Sequence, residues 1–464
     1  MKKKIFPILF AAAALAACQS LNQEPSTSVS TGTAITSVQD LSYAVNGAYY
    51  IATGRNQLSL TGELAIYADE LGPDSEVKNG SGQYGQKIHE RSITSNDSYN
   101  AYYYLYRALA NINKTLERAE AFAGESGQAE LVAELYGMRG LFHFHVATFF
   151  APIPTSGSAN TLGIVLSTEV YPLDYKSGRA SLEETYAQIV KDLTTCIDSG
   201  LNKGVRDGHV NYWAALALRA RAYLYWGKYD QALADARKVI DESPYDLYTI
   251  GNYVSAWSMD NGSEVILEYI QDDNYNAQRY APGYHTHPDG YHEYAVTEEF
   301  YEFMQENPDD IRSAMVAWRE TEDGTGTDNY YPMKYPGKTG SIVPLYANSI
   351  KVVRLSEMYL IAAEAELKKP GGSAAAAAEY LNALRRNRIA GYADVSTTDI
   401  DDIIDERRRE LFAEGQIAFD YWRNGKTFRS GARTFAPDDN YNVLPIPKEE
   451  LDVNGSILQQ NPGY

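Results

Sequence analysis

Residues 213–246 read WAALALRARAYLYWGKYDQALADARKVIDESPYD. Leu216, Ala220 and Tyr223 recur at helical spacing, Gly227 interrupts them, and Tyr229, Ala232, Ala236 and Val239 resume the pattern. Small side chains at Ala220, Ala232 and Ala236 allow two helices to approach closely. Pro244 lacks a backbone donor and ends the second helix. The stretch therefore reads as a helical hairpin, two helices joined by a glycine turn.

These are the spacings of the 34-residue tetratricopeptide repeat. Residues 353–388 look like a looser copy: Val353 to Leu367, a Pro370-Gly371-Gly372 turn, then Ala374 to Arg388. Segments 130–150 and 181–201 make a third pair, divided by an insertion containing Pro152 and Pro154. Segment 101–122, with 37–52, makes a fourth. One hairpin cannot bury its apolar face alone, so the pairs should stack into a layer. Ser181 followed by Glu184 is a capping-box signature. Segment 398–412 is acidic early (Asp399, Asp401, Asp402) and basic late (Arg407, Arg408, Arg409), with Gly415 as the stop. Its arginines alternate with Glu406 and Glu410, which predicts pairing within the helix. Two stretches break the pattern. Residues 70–98 are rich in Gly, Ser, Asn and Asp. Residues 245–347 mix Tyr, Pro, Gly and Asp with strand-like runs at Val265-Ile266-Leu267 and Ile342-Val343. The expected fold class is all-α: a tetratricopeptide-like helical repeat scaffold of about four helix pairs. A loop-rich irregular capping region containing a few short strands would complete it.

The chain has 464 residues, 44% hydrophobic and 22% charged, enough for a large ordered core. Its net charge of −20 argues against nucleic acid. Two cysteines, Cys18 and Cys196, rule out a disulfide framework and a zinc site of several thiolates. Lys2, Lys3 and Lys4 precede a short apolar run from Ile5 to Ala14, then Leu15-Ala16-Ala17-Cys18. This has the form of a bacterial lipoprotein signal: residues 1–17 are cleaved and Cys18 is acylated. Cleavage removes three lysines and no acid, taking the charge from −20 to −23. Residues 18–36 hold eight Ser or Thr after the cysteine and read as a lipid-anchored tether. Residues 37–464 then form one domain. Cys196 falls among Ile189, Leu193 and Ile197 at helical spacing, as a buried inert thiol would.

Enzyme signatures fail. There is no His-Glu-x-x-His and no Gly-x-Ser-x-Gly. Gly337-Lys338-Thr339 is half a phosphate loop, with Pro332 where the first glycine belongs. Gly80, Gly82 and Gly85 match a dinucleotide fingerprint but follow no buried strand. His285, His287 and His292 lie within eight residues; in so tyrosine-rich a loop they are expected to present hydrogen bonds, with no metal or cofactor. His143 and His145 stand two apart on a helix and cannot share a ligand. What remains is aromatic. Tyr outnumbers Phe by 38 to 13. Tyrosine offers a flat apolar face, a hydroxyl and few rotors to freeze, which suits sugars and peptides alike. The candidate ligand-binding residues are Tyr275, Tyr280, Tyr284, His287 and Tyr291 in the second irregular stretch, Trp318 beside them, and Asn79 and Tyr84 in the first.

Scaffold motifs in order along the chain resemble the SusD/RagB family of outer-membrane lipoproteins from Bacteroidetes. They are Ala44-Val-Asn-Gly-Ala-Tyr49, Leu105-Tyr-Arg-Ala-Leu-Ala-Asn-Ile-Asn113, Val353 to Ala365, Leu381-Asn-Ala-Leu-Arg385, Ile404 to Leu411, Leu444-Pro-Ile-Pro447 and Gln460-Asn-Pro-Gly-Tyr464. The resemblance implies a non-catalytic binding protein on the outer membrane, facing the cell exterior. It implies an oligosaccharide ligand, or a peptide as in the RagB branch, and a SusC-like TonB-dependent transporter as partner. A surface glycosidase is the remaining alternative. The family's binding residues vary with substrate, so the resemblance carries over the two loop regions and not individual contacts.

Overall fold

The computed structural model describes residues 34–464 except 55–56, 78–83, 173, 200, 202, 206–207, 321–326 and 431–432, and only the backbone at Tyr84 and 327–329. The signal segment, Cys18, Asn79, Gly80 and Gly82 lie outside the described residues, as does most of the tether.

Ten helices carry the argument: α1 Val38–Ala52, α2 Tyr99–Ala119, α3 Gln128–Phe150, α4 Leu182–Asp198, α5 Tyr212–Trp226, α6 Tyr229–Glu242, α7 Leu355–Lys368, α8 Ala374–Arg385, α9 Ile400–Leu411 and α10 Ile417–Arg423. Each of α1 to α7 packs on its successor; α9 then lies on α7, and α10 on α9. Local chemistry sets the boundaries. Ser181 and Glu184 form the expected capping box at α4. Asn211 caps α5, and Gly227, in the left-handed region at φ 77°, ends it. Asp399, one residue after Thr398, caps α9.

Helix α3 is buried almost all round, and two glycines let α4 press against it. A Cβ at Gly137 would stand 2.6 Å from Val210 Cγ1 and 2.8 Å from Cys196 Sγ; one at Gly140 would stand 2.9 Å from Leu193 Cγ. Cys196 is fully buried, as the sequence indicates.

Eight short strands complete the described structure: β1 Ser75–Val77, β2 Val265–Tyr269, β3 Tyr294–Val296, β4 Val316–Glu320, β5 Thr327–Pro332, β6 Ile350–Arg354, β7 Phe428–Ser430 and β8 Arg433–Phe435. One antiparallel sheet runs β1-β3-β5-β4, so it stitches the first irregular stretch to the second. β2 pairs with β6 under α5 and α7. Val353 is thus a strand residue and α7 begins at Leu355, a correction to the helix predicted from Val353. Ile342-Val343 is not a strand; it is a turn whose Ile342 is 83% exposed.

The arginines of α9 pair mainly with other segments rather than within the helix. Arg407 reaches Asp420 at 2.7 Å, Arg408 reaches Asp74 at 2.6 Å and Arg409 reaches Glu306 at 2.8 Å. Glu406 and Glu410 enter a buried network: Glu406 takes Arg312 and Arg385, both at 2.7 Å, and Glu410 takes Arg354 and Arg388, both at 3.0 Å. Arg354 also meets Glu414 at 2.7 Å, and Lys334 meets Glu414 at 2.5 Å. Because stranding one buried charge costs several kcal/mol, this pairing fastens the irregular region onto α8, α9 and the strand β6 that leads into α7. Trp257 is buried beside the network, under the Lys334 ammonium at 4.6 Å.

The last residues return to the first half of the scaffold. Asn461 donates to Phe150 O at 2.9 Å and Leu444 O at 2.8 Å, and accepts from Arg179 at 2.8 Å.

Candidate ligand-binding surface

The surface is built from one short helix and the turn after it. Pro282 opens the helix Pro282–Thr286, its fixed φ suiting the first position. The chain then closes on itself: Tyr291 N–H donates to Tyr284 O at 2.7 Å and Gly290 N–H donates to His287 O at 2.9 Å. Only glycine fits at 290, since a Cβ there would lie 2.1 Å from Tyr284 O. The closure sets the Tyr284 and Tyr291 rings edge to face at 4.8 Å, and Tyr346 meets Tyr284 from the other side at 5.1 Å. Tyr291 is 47% exposed. The Arg279 guanidinium sits beside the hydroxyls of Tyr291 and Tyr346, and their interaction with it raises its already high pKa. Flat rings with a cation at their rim face solvent here.

His287 flanks this group. Its ring stands 5.6 Å from Tyr331 and its Nδ1 lies 3.7 Å from Asp289. Partial burial lowers its pKa. Asp289 accepts from Arg319 at 2.7 Å, and that hydrogen bond holds its carboxyl below the usual range. Tyr280 is exposed in the turn just before Pro282.

Two predicted residues do not join the group. Trp318 is 52% exposed but pairs across β4–β5 with Tyr330, whose ring stacks on Tyr301 at 4.3 Å. Its neighbour Ala317 pairs with Tyr331, so the pleat puts Trp318 on the face opposite Tyr331 and His287. Tyr275 leaves in another direction. Its ring packs on Tyr50 at 5.0 Å and its hydroxyl meets Thr53 at 2.5 Å. It lines a cavity of about 330 Å³ with Tyr49, His209 and Tyr269. Tyr84 starts the helix Tyr84–His89, which packs against β1. Tyr346 and Arg279 were missing from the predicted ligand set; no spacing rule brings 279 and 346 together.

The three clustered histidines separate. His287 faces the surface and His292 is buried against Tyr331 at 5.8 Å. His285 turns inward, with Nε2 3.5 Å from Glu63 Oε1 and Nδ1 3.3 Å from Glu293 Oε2. Burial pushes the Glu63 carboxyl up to about 7, against the attraction of His285. Burial also raises Glu70, reinforced by Glu63 and Glu293.

Residues 21–224 match the family profile described as "Starch-binding associating with outer membrane", and residues 249–464 match the SusD family profile. The chain belongs to the SusD/RagB family. A SusD superfamily protein from Bacteroides thetaiotaomicron superposes with TM-score 0.84 at 27% identity, over 92% of this chain and 100% of that one. A laminarin-binding SusD-like protein superposes with TM-score 0.74 at 22% identity, over 92% of this chain and 99% of that one. SusD-like protein P2 of Formosa agariphila is 22% identical, with both chains covered in full. The helix-rich body with a few short strands is thus the SusD fold, and the aromatic surface sits on its irregular part. Among the described residues no helix is long and apolar enough to cross a membrane.

Proposed function

We propose that this SusD-family protein is a non-catalytic, lipid-anchored surface protein that captures an oligosaccharide and passes it to a SusC-like TonB-dependent transporter in the outer membrane. The observation that carries the reading is the surface group of exposed Tyr291 and Arg279 with half-buried Tyr284 and Tyr346. Its rings offer stacking faces for sugar C–H groups, and its guanidinium and hydroxyls offer hydrogen bonds. The laminarin-binding relative supports a glycan over a peptide. A proton donor in glycoside hydrolysis needs a raised pKa. Asp289, the exposed acid of the same loop, has a lowered one. Tyr280, His287, Trp318, Tyr84 and Asn79 extend the proposed surface, and Tyr275 belongs to a separate aromatic face. The helix pairs read as tetratricopeptide-like, a layer suited to contact the transporter. Residues 1–17, Cys18 and the tether to residue 36 supply the signal and lipid anchor, ahead of the single domain 37–464.

Isothermal calorimetry against laminarin, starch, other bacterial and plant glycans and a peptide pool tests the ligand class. Tyr291→Ala and Tyr284→Ala should weaken glycan binding about tenfold each, or about 1.4 kcal/mol, with helicity unchanged. Binding confined to peptides would replace the glycan reading with peptide uptake, and sugar release by the purified protein would refute the non-catalytic one.

A further inference from the structure

Beneath the aromatic loop lies a polar pocket whose charge is unbalanced. Glu63, Glu70, His285 and Glu293 are each no more than 2% exposed. Glu63, His285 and Glu293 offer one ligand atom each, all within 4.8 Å of one another. His285 is the feature that points to a ligand: it is buried, aimed between two carboxylates, and neither ring nitrogen has a hydrogen-bond partner. Glu63 Oε2 and both carboxylate oxygens of Glu70 and of Glu293 also lack one.

Six other buried glutamates are treated differently. Glu264, Glu357, Glu364, Glu406, Glu410 and Glu414 each meet an arginine. Among the described residues no lysine or arginine forms an ion pair with Glu63, Glu70 or Glu293. Three buried carboxylates facing one imidazole cost several kcal/mol per uncompensated ion unless protons or a metal cation join them.

We propose that Glu63, His285 and Glu293, with Glu70 behind them, bind one divalent transition-metal cation of the zinc type. Two or three carboxylates would leave at most one excess negative charge against a dication. Imidazole beside carboxylates favours zinc over calcium, which takes oxygen ligands. The ligands come from separate segments: Glu63 from the turn Glu63–Ala65, Glu70 from the short helix Tyr67–Glu70, His285 from Pro282–Thr286 and Glu293 from the residue before β3. Gly85 closes over them, since a Cβ there would stand 3.1 Å from Glu70 Oε1 and 3.3 Å from Glu293 Cδ. The cation would therefore pin both irregular stretches directly under the loop that carries Tyr284 and Tyr291. The Tyr291 ring lies 5.9 Å from His285.

The test uses the full mature protein, stripped with a chelator and dialysed, without any glycan. Titration with ZnCl2 should give one equivalent bound by calorimetry, and a melting temperature raised by several degrees at a hundredfold excess over Kd. His285→Ala and Glu293→Gln should each weaken that binding at least tenfold, while His287→Ala leaves it unchanged. Co2+ bound to the unsubstituted protein should show the visible absorption of a low-coordinate nitrogen–oxygen site, a readout that survives even if both variants fail to fold. Four results would overturn the proposal: no stoichiometric Zn2+ binding, binding that persists in folded His285→Ala, binding of Ca2+ in place of Zn2+, or a Co2+ spectrum of the aquo ion.

Discussion

At the scale of single residues, the candidate surface depends on Gly290 as much as on its tyrosines. A methyl group there would collide with Tyr284 O, so Gly290→Ala must open the closure between His287 and Tyr291. The expected outcome is about a tenfold loss of ligand affinity by calorimetry, with about 1–3 kcal/mol lost in urea melts. The tyrosine enrichment of the loop that carries Tyr284 and Tyr291 could be read from composition. Their contact could not, because it is made by the turn at Gly290. Tyr275 was misplaced for an equally local reason. Asp272 Oδ1 accepts from Asn274 N–H and Tyr275 N–H, both at 2.7 Å, and this turn swings the ring toward Tyr50. His285 was grouped with its neighbours by spacing, yet one turn of helix buries it and leaves His287 outside.

At the scale of elements, the helices were legible and the strands only in part: the run Val265-Ile266-Leu267 does lie in β2, but its partner β6 was not read as a strand. Periodicity marks α1 to α6 because each buries one stripe or is buried all round. The run Ile350–Arg354 is fully buried although it holds Lys351 and Arg354, and its Val352-Val353 looks like the start of the next helix until β2 is found beside it. Close packing of α3 on α4 rests on glycine: Gly137→Val should cost at least about 2 kcal/mol, read as a lower midpoint in chemical denaturation.

At the scale of the whole molecule, buried ion pairs join scaffold and irregular region, and they fix the response to acid. Arg423, with Lys368, holds the Glu364 carboxyl down at about 2, and arginines lower Glu406, Glu410 and Glu414 as well. Carboxyls lowered in the folded state stabilise it above their unfolded value near 4.5, and lose that contribution as pH falls through the folded value. Through these groups, stability measured by urea melts should fall steeply between about pH 4.5 and 2, while Glu63, raised to about 7 by burial, acts oppositely and lowers stability as pH rises from about 4.5 to 7. Glu410→Gln, which takes one carboxylate away from Arg354 and Arg388 and leaves both sharing Glu264, should cost about 3–5 kcal/mol at neutral pH. The network joins residues far apart in the chain, so sequence patterns showed its arginines but not their partners.

The tail has a consequence in time. Asn461 holds the end of α3, Arg179 and Leu444 together, and it lies 311 residues along the chain from Phe150. The knot of contacts around Phe150 can close only after synthesis has passed Asn461. Until then Phe150 O has only the bond from Arg179 to hold it. A chain stopped after Leu458 should stay open there, and limited proteolysis should cut it near residue 151 while leaving the full-length protein whole.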